Sequence, residues 1–123
     1  MAYIDLTTKD FNETLDNNDI VIIDFWAEWC APCKQFAPIF EKAAEDYPDV
    51  VFGKVNTEEQ QAIAREYGVH SIPTIMVVRE GIILLNQGGS LPAEAFGKLI
   101  THVKGLDMDE VRAEMAKDEE DDE

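Results

Sequence analysis

Apolar residues recur along this chain with two periods. Short uninterrupted runs alternate with longer stretches in which apolar side chains return every three or four residues. Ala2 to Thr7 reads as a short strand. Thr7 or Thr8 caps a helix running to about Leu15, with Phe11 and Leu15 on one face. Asp16-Asn17-Asn18-Asp19 is a turn cluster. Ile20 to Trp26 is almost continuously apolar, as expected of a central strand covered on both faces. Ala31 to Tyr47 follows as a long helix with Phe36, Ile39, Phe40 and Ala43 as its stripe. Pro32 falls in the first turn, where a missing N–H costs little; Pro38 lies inside and predicts a kink.

Val50 to Val55 is the next strand. Glu58 to Tyr67 is helical and stops at Gly68. Ile75 to Val78 and Ile82 to Leu85 are strands separated by Glu80-Gly81, which predicts an antiparallel hairpin. Gly88-Gly89 breaks the chain, and Pro92 to Val103 is a helix closed by Gly105, with Phe96, Leu99, Ile100 and Val103 inward. The order β-α-β-α-β-α-β-β-α predicts an α/β fold: a central mixed sheet flanked by helices on both faces. Asp107 then starts a short helix as a capping box with Glu110, and Met108, Val111 and Met115 form a small stripe. Six acids, Asp118 to Glu123, oppose the dipole at the C-terminal end, so that end is expected to fray.

Length and charge narrow the function. At 123 residues the chain is one domain that can bury a core without staples. Its net charge of −16 argues against nucleic acid and anionic membranes as partners, because both reward basic surfaces. The charge is concentrated in the acidic extension, which reads as a solvated tail. The first fifteen residues include Asp5, Lys9, Asp10 and Glu13 and lack the apolar stretch of a secretory signal, so a cytoplasmic protein is expected.

The two cysteines carry the chemistry. Trp29-Cys30-Ala31-Pro32-Cys33 joins the central strand to the long helix. Cysteines three apart at a helix start share one face and can close a disulfide with little movement. In a cytosolic protein such a pair serves redox or metal chemistry rather than stapling. Free N–H groups and the dipole favour a thiolate at Cys30, the expected nucleophile. Cys33, a turn deeper, is expected to be more buried and to resolve the mixed disulfide. Asp24 interrupts the apolar run Val21 to Trp26, where a carboxylate is costly unless paired or neutral. Burial there raises its proton affinity, which suits a base for Cys33. Lys54, in the middle of the next strand, is its candidate partner.

The segment Asp24-Phe25-Trp26-Ala27-Glu28-Trp29-Cys30-Ala31-Pro32-Cys33-Lys34, then Pro38, Lys54, Gly68-Val69-His70-Ser71-Ile72-Pro73-Thr74 and Gly88-Gly89 resembles the thioredoxin family over roughly residues 3 to 104. The resemblance implies a thioredoxin fold over 1–105, with 106–123 as an acidic C-terminal extension that has no counterpart in it. It implies a protein disulfide reductase, with Pro73 cis and facing the cysteines. Trp29, Pro32, Ile72, Pro73, Gly88 and Gly89 would rim an apolar groove for an extended peptide, the backbone of Ile72 pairing with it. Implied partners are disulfide-containing proteins and an upstream thioredoxin reductase, the chain acting as a monomer without a cofactor. Ala31 stands where the commonest motif has Gly, which bears on the redox potential.

Other readings compete. The same motif at higher potential would serve an oxidase or isomerase. A thioredoxin-like module could instead grip a partner, although that use needs neither cysteine nor Asp24. Zinc wants four ligands, and one chain offers Cys30, Cys33 and two scattered histidines, so no metal site is expected. His70 and His102 read as polar surface, Trp26 as core packing, and Trp29 as functional.

Overall fold

The computed structural model describes residues 2–121. Strand β1 (Tyr3–Asp5) and helix α1 (Phe11–Asn17) lead into β2 (Ile20–Trp26). Helix α2 (Ala31–Asp46) crosses over to β3 (Val51–Asn56). Helix α3 (Gln61–Glu66) then precedes the hairpin β4 (Thr74–Arg79) and β5 (Ile82–Gly88). Helices α4 (Ala93–Lys104) and α5 (Met108–Asp121) complete the chain. The sheet runs β1-β3-β2-β4-β5, parallel on the β1 and β3 side of β2 and antiparallel on the β4 and β5 side. It is the expected mixed sheet, with the β4–β5 hairpin as its antiparallel half.

Side-chain alternation along β2 divides the core. Ile20 and Ile22 face α2 and α4, where Phe36, Phe40, Phe52 and Phe96 meet with ring centroids 5.2–6.5 Å apart. Val21, Ile23 and Phe25 face the other way, onto Phe11, Leu15 and Ile63 from α1 and α3. Each buried phenylalanine contributes about 1.5–3 kcal/mol of transfer free energy. By the same alternation Asp24 falls on the α2 face with Ile20 and Ile22, and Lys54 falls there with Phe52.

Several boundaries differ from the sequence reading. Strand β1 is shorter than Ala2 to Thr7, and α1 starts at Phe11, because Thr7 and Thr8 do not cap it. The Asp10 carboxylate instead accepts the Thr7 N–H at 2.7 Å, while the Thr8 hydroxyl donates to Gln60 at 2.9 Å. Helix α3 starts three residues after Glu58: the Asn56 side chain accepts the N–H groups of Glu58 and Glu59 and holds them in a turn. Gly68 ends that segment at φ +67°, a left-handed backbone suited to glycine. Strand β5 continues beyond Leu85 to Gly88, since Gly88 still pairs with Thr74. Pro38 lies inside α2, as the sequence predicts.

The extension docks through its N-terminal part. Asp107 caps α5 by accepting the N–H groups of Asp109 and Glu110. Met108 is buried, whereas Val111 is half-buried and Met115 exposed, so only the head of the expected stripe packs. Arg112 pairs with Glu80 in the hairpin turn at 2.6 Å. Arg79 on β4 donates to the carbonyls of Val103 and Leu106, tying the end of α4 to the sheet. The helix continues to Asp121, beyond the point at Asp118 where fraying was expected; Asp122 and Glu123 lie outside the described residues.

Candidate dithiol site

Four residues separate the end of β2 from the start of α2: Ala27 is buried, Glu28 and Trp29 are exposed, and Cys30 takes the N-cap position with extended backbone. The Cys33 N–H donates to Cys30 Sγ at 3.2 Å, so the sulfur itself caps the helix. One turn brings the two Cα atoms within 5.2 Å, and the sulfurs are joined as a disulfide. The pairing is the one that the spacing predicts.

Burial departs from expectation. Cys33 is not the deeper residue; both cysteines are 3% exposed. The segment after α3 covers Cys30, whose Sγ lies 3.6 Å from the Ile72 carbonyl oxygen. What separates the two sulfurs is their surroundings. Cys33 lines a cavity of about 120 Å³ with Asp24, Trp26, Glu28, Lys34, Ala37 and Lys54. Cys30 is not part of that lining.

Asp24 is 1% exposed, and among the described residues its Oδ1 has no hydrogen-bond partner. Burial pushes its carboxyl from the usual 3.8 up to about 7; Lys54 pulls it down and Glu41 pushes it further up. Lys54 does not make the expected contact with Asp24. Its Nζ donates to Glu41 Oε2 at 2.8 Å and sits 4.4 Å from the centre of the Tyr3 ring. Nor does it snorkel to solvent, being 8% exposed. Glu41 is absent from the sequence reading. The available signal was its place two helical turns beyond Cys33, on the face marked by Ala37.

Trp26 is also placed differently. It is half-buried and lies outside both core clusters, lining the Asp24 cavity and a larger one of about 560 Å³ beneath Trp29. Trp29 is 70% exposed, and its indole N–H donates to Glu58 Oε1 at 2.8 Å.

The Ile72–Pro73 peptide bond is cis, as the family resemblance implies, and Pro73 is buried. Its carbonyl accepts the Gly89 N–H at 2.8 Å. Gly89 has φ +104°, and a Cβ on Gly88 would collide with the Ser71 hydroxyl, so both glycines fit the close approach of β5 to this loop. Trp29, Thr57, Val69, His70, Ser71 and Ile72 line a cleft of about 180 Å³ beside Cys30. His70 thus sits on the cleft, although its side chain is exposed as expected. Pro32 stands exposed in the first turn of α2, outside that lining.

The family profile described as Thioredoxin matches residues 2–102. The chain is 52% identical over 114 residues to a protein of Streptomyces coelicolor named putative thioredoxin 2, covering 93% of this chain and 85% of that one. It is 38% identical over 100 residues to a thioredoxin of Chlorobaculum thiosulfatiphilum, covering 80% and 93% of the two chains. Among solved structures, a single-residue mutant of the thioredoxin from Halobacterium salinarum superposes with a TM-score of 0.78 at 30% identity, covering 85% of this chain and 92% of that one.

Proposed function

The chain belongs to the thioredoxin family of dithiol–disulfide oxidoreductases, and we propose from that premise that Cys30 attacks and Cys33 resolves in the reduction of protein disulfides. The observation that carries the assignment is the asymmetric setting of the two sulfurs. Cys30 caps α2 beside the Ile72 carbonyl and the Trp29 cleft, whereas Cys33 lines a cavity with Asp24.

The reaction begins from the dithiol. The Cys30 thiolate, favoured by the helix start, attacks one sulfur of the substrate disulfide. The substrate S–S bond breaks, a mixed disulfide forms, and the departing thiolate takes a proton from solvent. Cys33 then gives its proton to the Asp24 carboxylate and attacks Cys30 Sγ. The mixed disulfide breaks, the departing substrate thiolate takes a proton from solvent, and Asp24 gives the Cys33 proton back to solvent. Two electrons and two protons have passed to the substrate, leaving the Cys30–Cys33 disulfide. An upstream thioredoxin reductase supplies the two electrons that restore the dithiol.

Ile72, Pro73, Trp29, Pro32, Gly88 and Gly89 form the docking surface in this reading, with the Ile72 backbone offered to an extended substrate strand. Lys54 lines the same cavity and pulls the Asp24 carboxyl down, against the larger effect of burial. Residues 1–105 carry the activity, and 106–123 are an extension whose beginning, at Met108 and Arg112, packs against them. The cytoplasm, where thiols are kept reduced, suits a reductase of this kind; no described helix is long and apolar enough to cross a membrane.

Two single variants test the assignment. Cys30→Ser should abolish reduction of a peptide disulfide, while Cys33→Ser should accumulate a covalent adduct with that peptide, seen by mass spectrometry without reductant. An adduct on Cys33 in Cys30→Ser at the wild-type rate would reverse the two roles.

A further inference from the structure

The buried ammonium of Lys54 and the buried carboxyl of Asp24 lie on the same face of neighbouring strands, at paired positions of β2 and β3, and line the same cavity. Only one of the two is unpartnered among the described residues: Asp24 Oδ1. A buried ammonium requires an acceptor, and Asp24 Oδ1 has no donor. Lys54 is instead engaged by Glu41, which reaches in from α2. Its carboxylate accepts from Lys54 Nζ at 2.8 Å, although 43% of the Glu41 side chain remains in solvent. Tyr3 lies under the ammonium at 4.4 Å from its ring centre, completing the hold.

We propose that Glu41 is a positioning residue for the second thiol step: by holding Lys54 Nζ it keeps the ammonium from pairing with Asp24 and leaves that carboxyl available to Cys33. The inference rests on the reading of Asp24 as the proton acceptor. An Asp24–Lys54 pair would lock the carboxylate in its ionised form and reduce its power to take a proton. With Glu41 in place the ammonium is shared toward the surface, and burial governs Asp24. Glu41 pushes the Asp24 carboxyl up while Lys54 pulls it down, both acting less than burial itself. The other charged or titratable groups around Asp24 are Cys33 and Lys34 from α2 and Glu28 from the segment after β2. None of these is an ion-pair partner of Lys54, so Glu41 occupies that position among the described residues.

The test uses the full chain with Glu41→Ala and Glu41→Gln. The Asp24 carboxyl is titrated by carbon-13 NMR, and the acid limb of single-turnover disulfide reduction is measured beside it. Removing the Glu41 charge both deletes a repelling carboxylate and releases Lys54 toward Asp24, so the Asp24 midpoint should fall by about one pH unit. The acid limb should fall with it, and the displacement should shrink when Lys54→Met is added. A general packing role would change stability or overall rate without moving either midpoint. An unmoved Asp24 midpoint in both variants overturns the inference. A midpoint that falls while the acid limb stays fixed confirms the electrostatic hold of Glu41 and removes Asp24 from the thiol chemistry.

Discussion

Replacing Asp24 by Asn should make the oxidised protein more stable, by an amount that grows with pH. The folded chain keeps the Asp24 proton to about pH 7, whereas the unfolded chain releases it near the ordinary 3.8. Between those values the native state binds more protons than the unfolded state, so raising the pH lowers stability. The cost is absent below the unfolded value and complete above the folded one. A rise of about three units, at about 1.4 kcal/mol each, places that cost at about 4 kcal/mol above pH 8. Asn introduces its own offset, because its amide meets the same unpartnered surroundings as Oδ1, but that offset does not titrate. The diagnostic is therefore a slope. Urea unfolding of wild type and Asp24→Asn from pH 4 to pH 8.5 should show the variant gaining about 4 kcal/mol on wild type across that range. A stability difference that stays constant with pH would mean that Asp24 ionises in the folded protein as it does in water, and would refute its description as a buried carboxyl.

Two further outcomes follow from the extension and from the active-site motif. Deleting residues 107–123 exposes the surface covered by buried Met108 and removes the half-exposed Arg112–Glu80 pair, so stability in urea should fall by about 2 kcal/mol. Reduction of a small peptide disulfide should continue at the wild-type rate; a large loss would place α5 in the active unit. The equilibrium potential of Cys30–Cys33 against glutathione should lie near about −270 mV despite Ala31, and a value near about −180 mV would mark an isomerase or oxidant instead.

The elements that the sequence revealed are those whose pattern reports local burial. Ile20–Trp26 could be read as a central strand because both of its faces are covered, and Phe36, Phe40 and Ala43 because they return to one face of α2. Asp24 was conspicuous for the same reason, as a polar residue where the pattern demands an apolar one. The misplaced features depend on contacts distant in sequence. Thr8 bonds to Gln60, fifty-two residues away, and so does not serve as a cap. Lys54 bonds to Glu41 rather than to the paired residue on the neighbouring strand, a choice set by the reach of an α2 side chain. The equal burial of the cysteines follows from the loop carrying Ile72, which no pattern around residue 30 could report. Met108 is buried while Met115 is exposed, since the contact of α5 with the hairpin turn is made by Arg112, ahead of Met115.

The Cys30–Cys33 bridge closes one of the smallest rings a disulfide can make, with its partners three positions apart in the chain. Restricting so short a loop removes little freedom from the unfolded chain: about 2 kcal/mol in the chain-entropy description, against nearly 5 for a loop of about a hundred residues. The scaffold is held by its two apolar layers and its sheet, independently of the bond at its rim. The same architecture can thus persist through repeated oxidation and reduction, and the free energy of each cycle remains with the exchanged electrons rather than being absorbed in refolding.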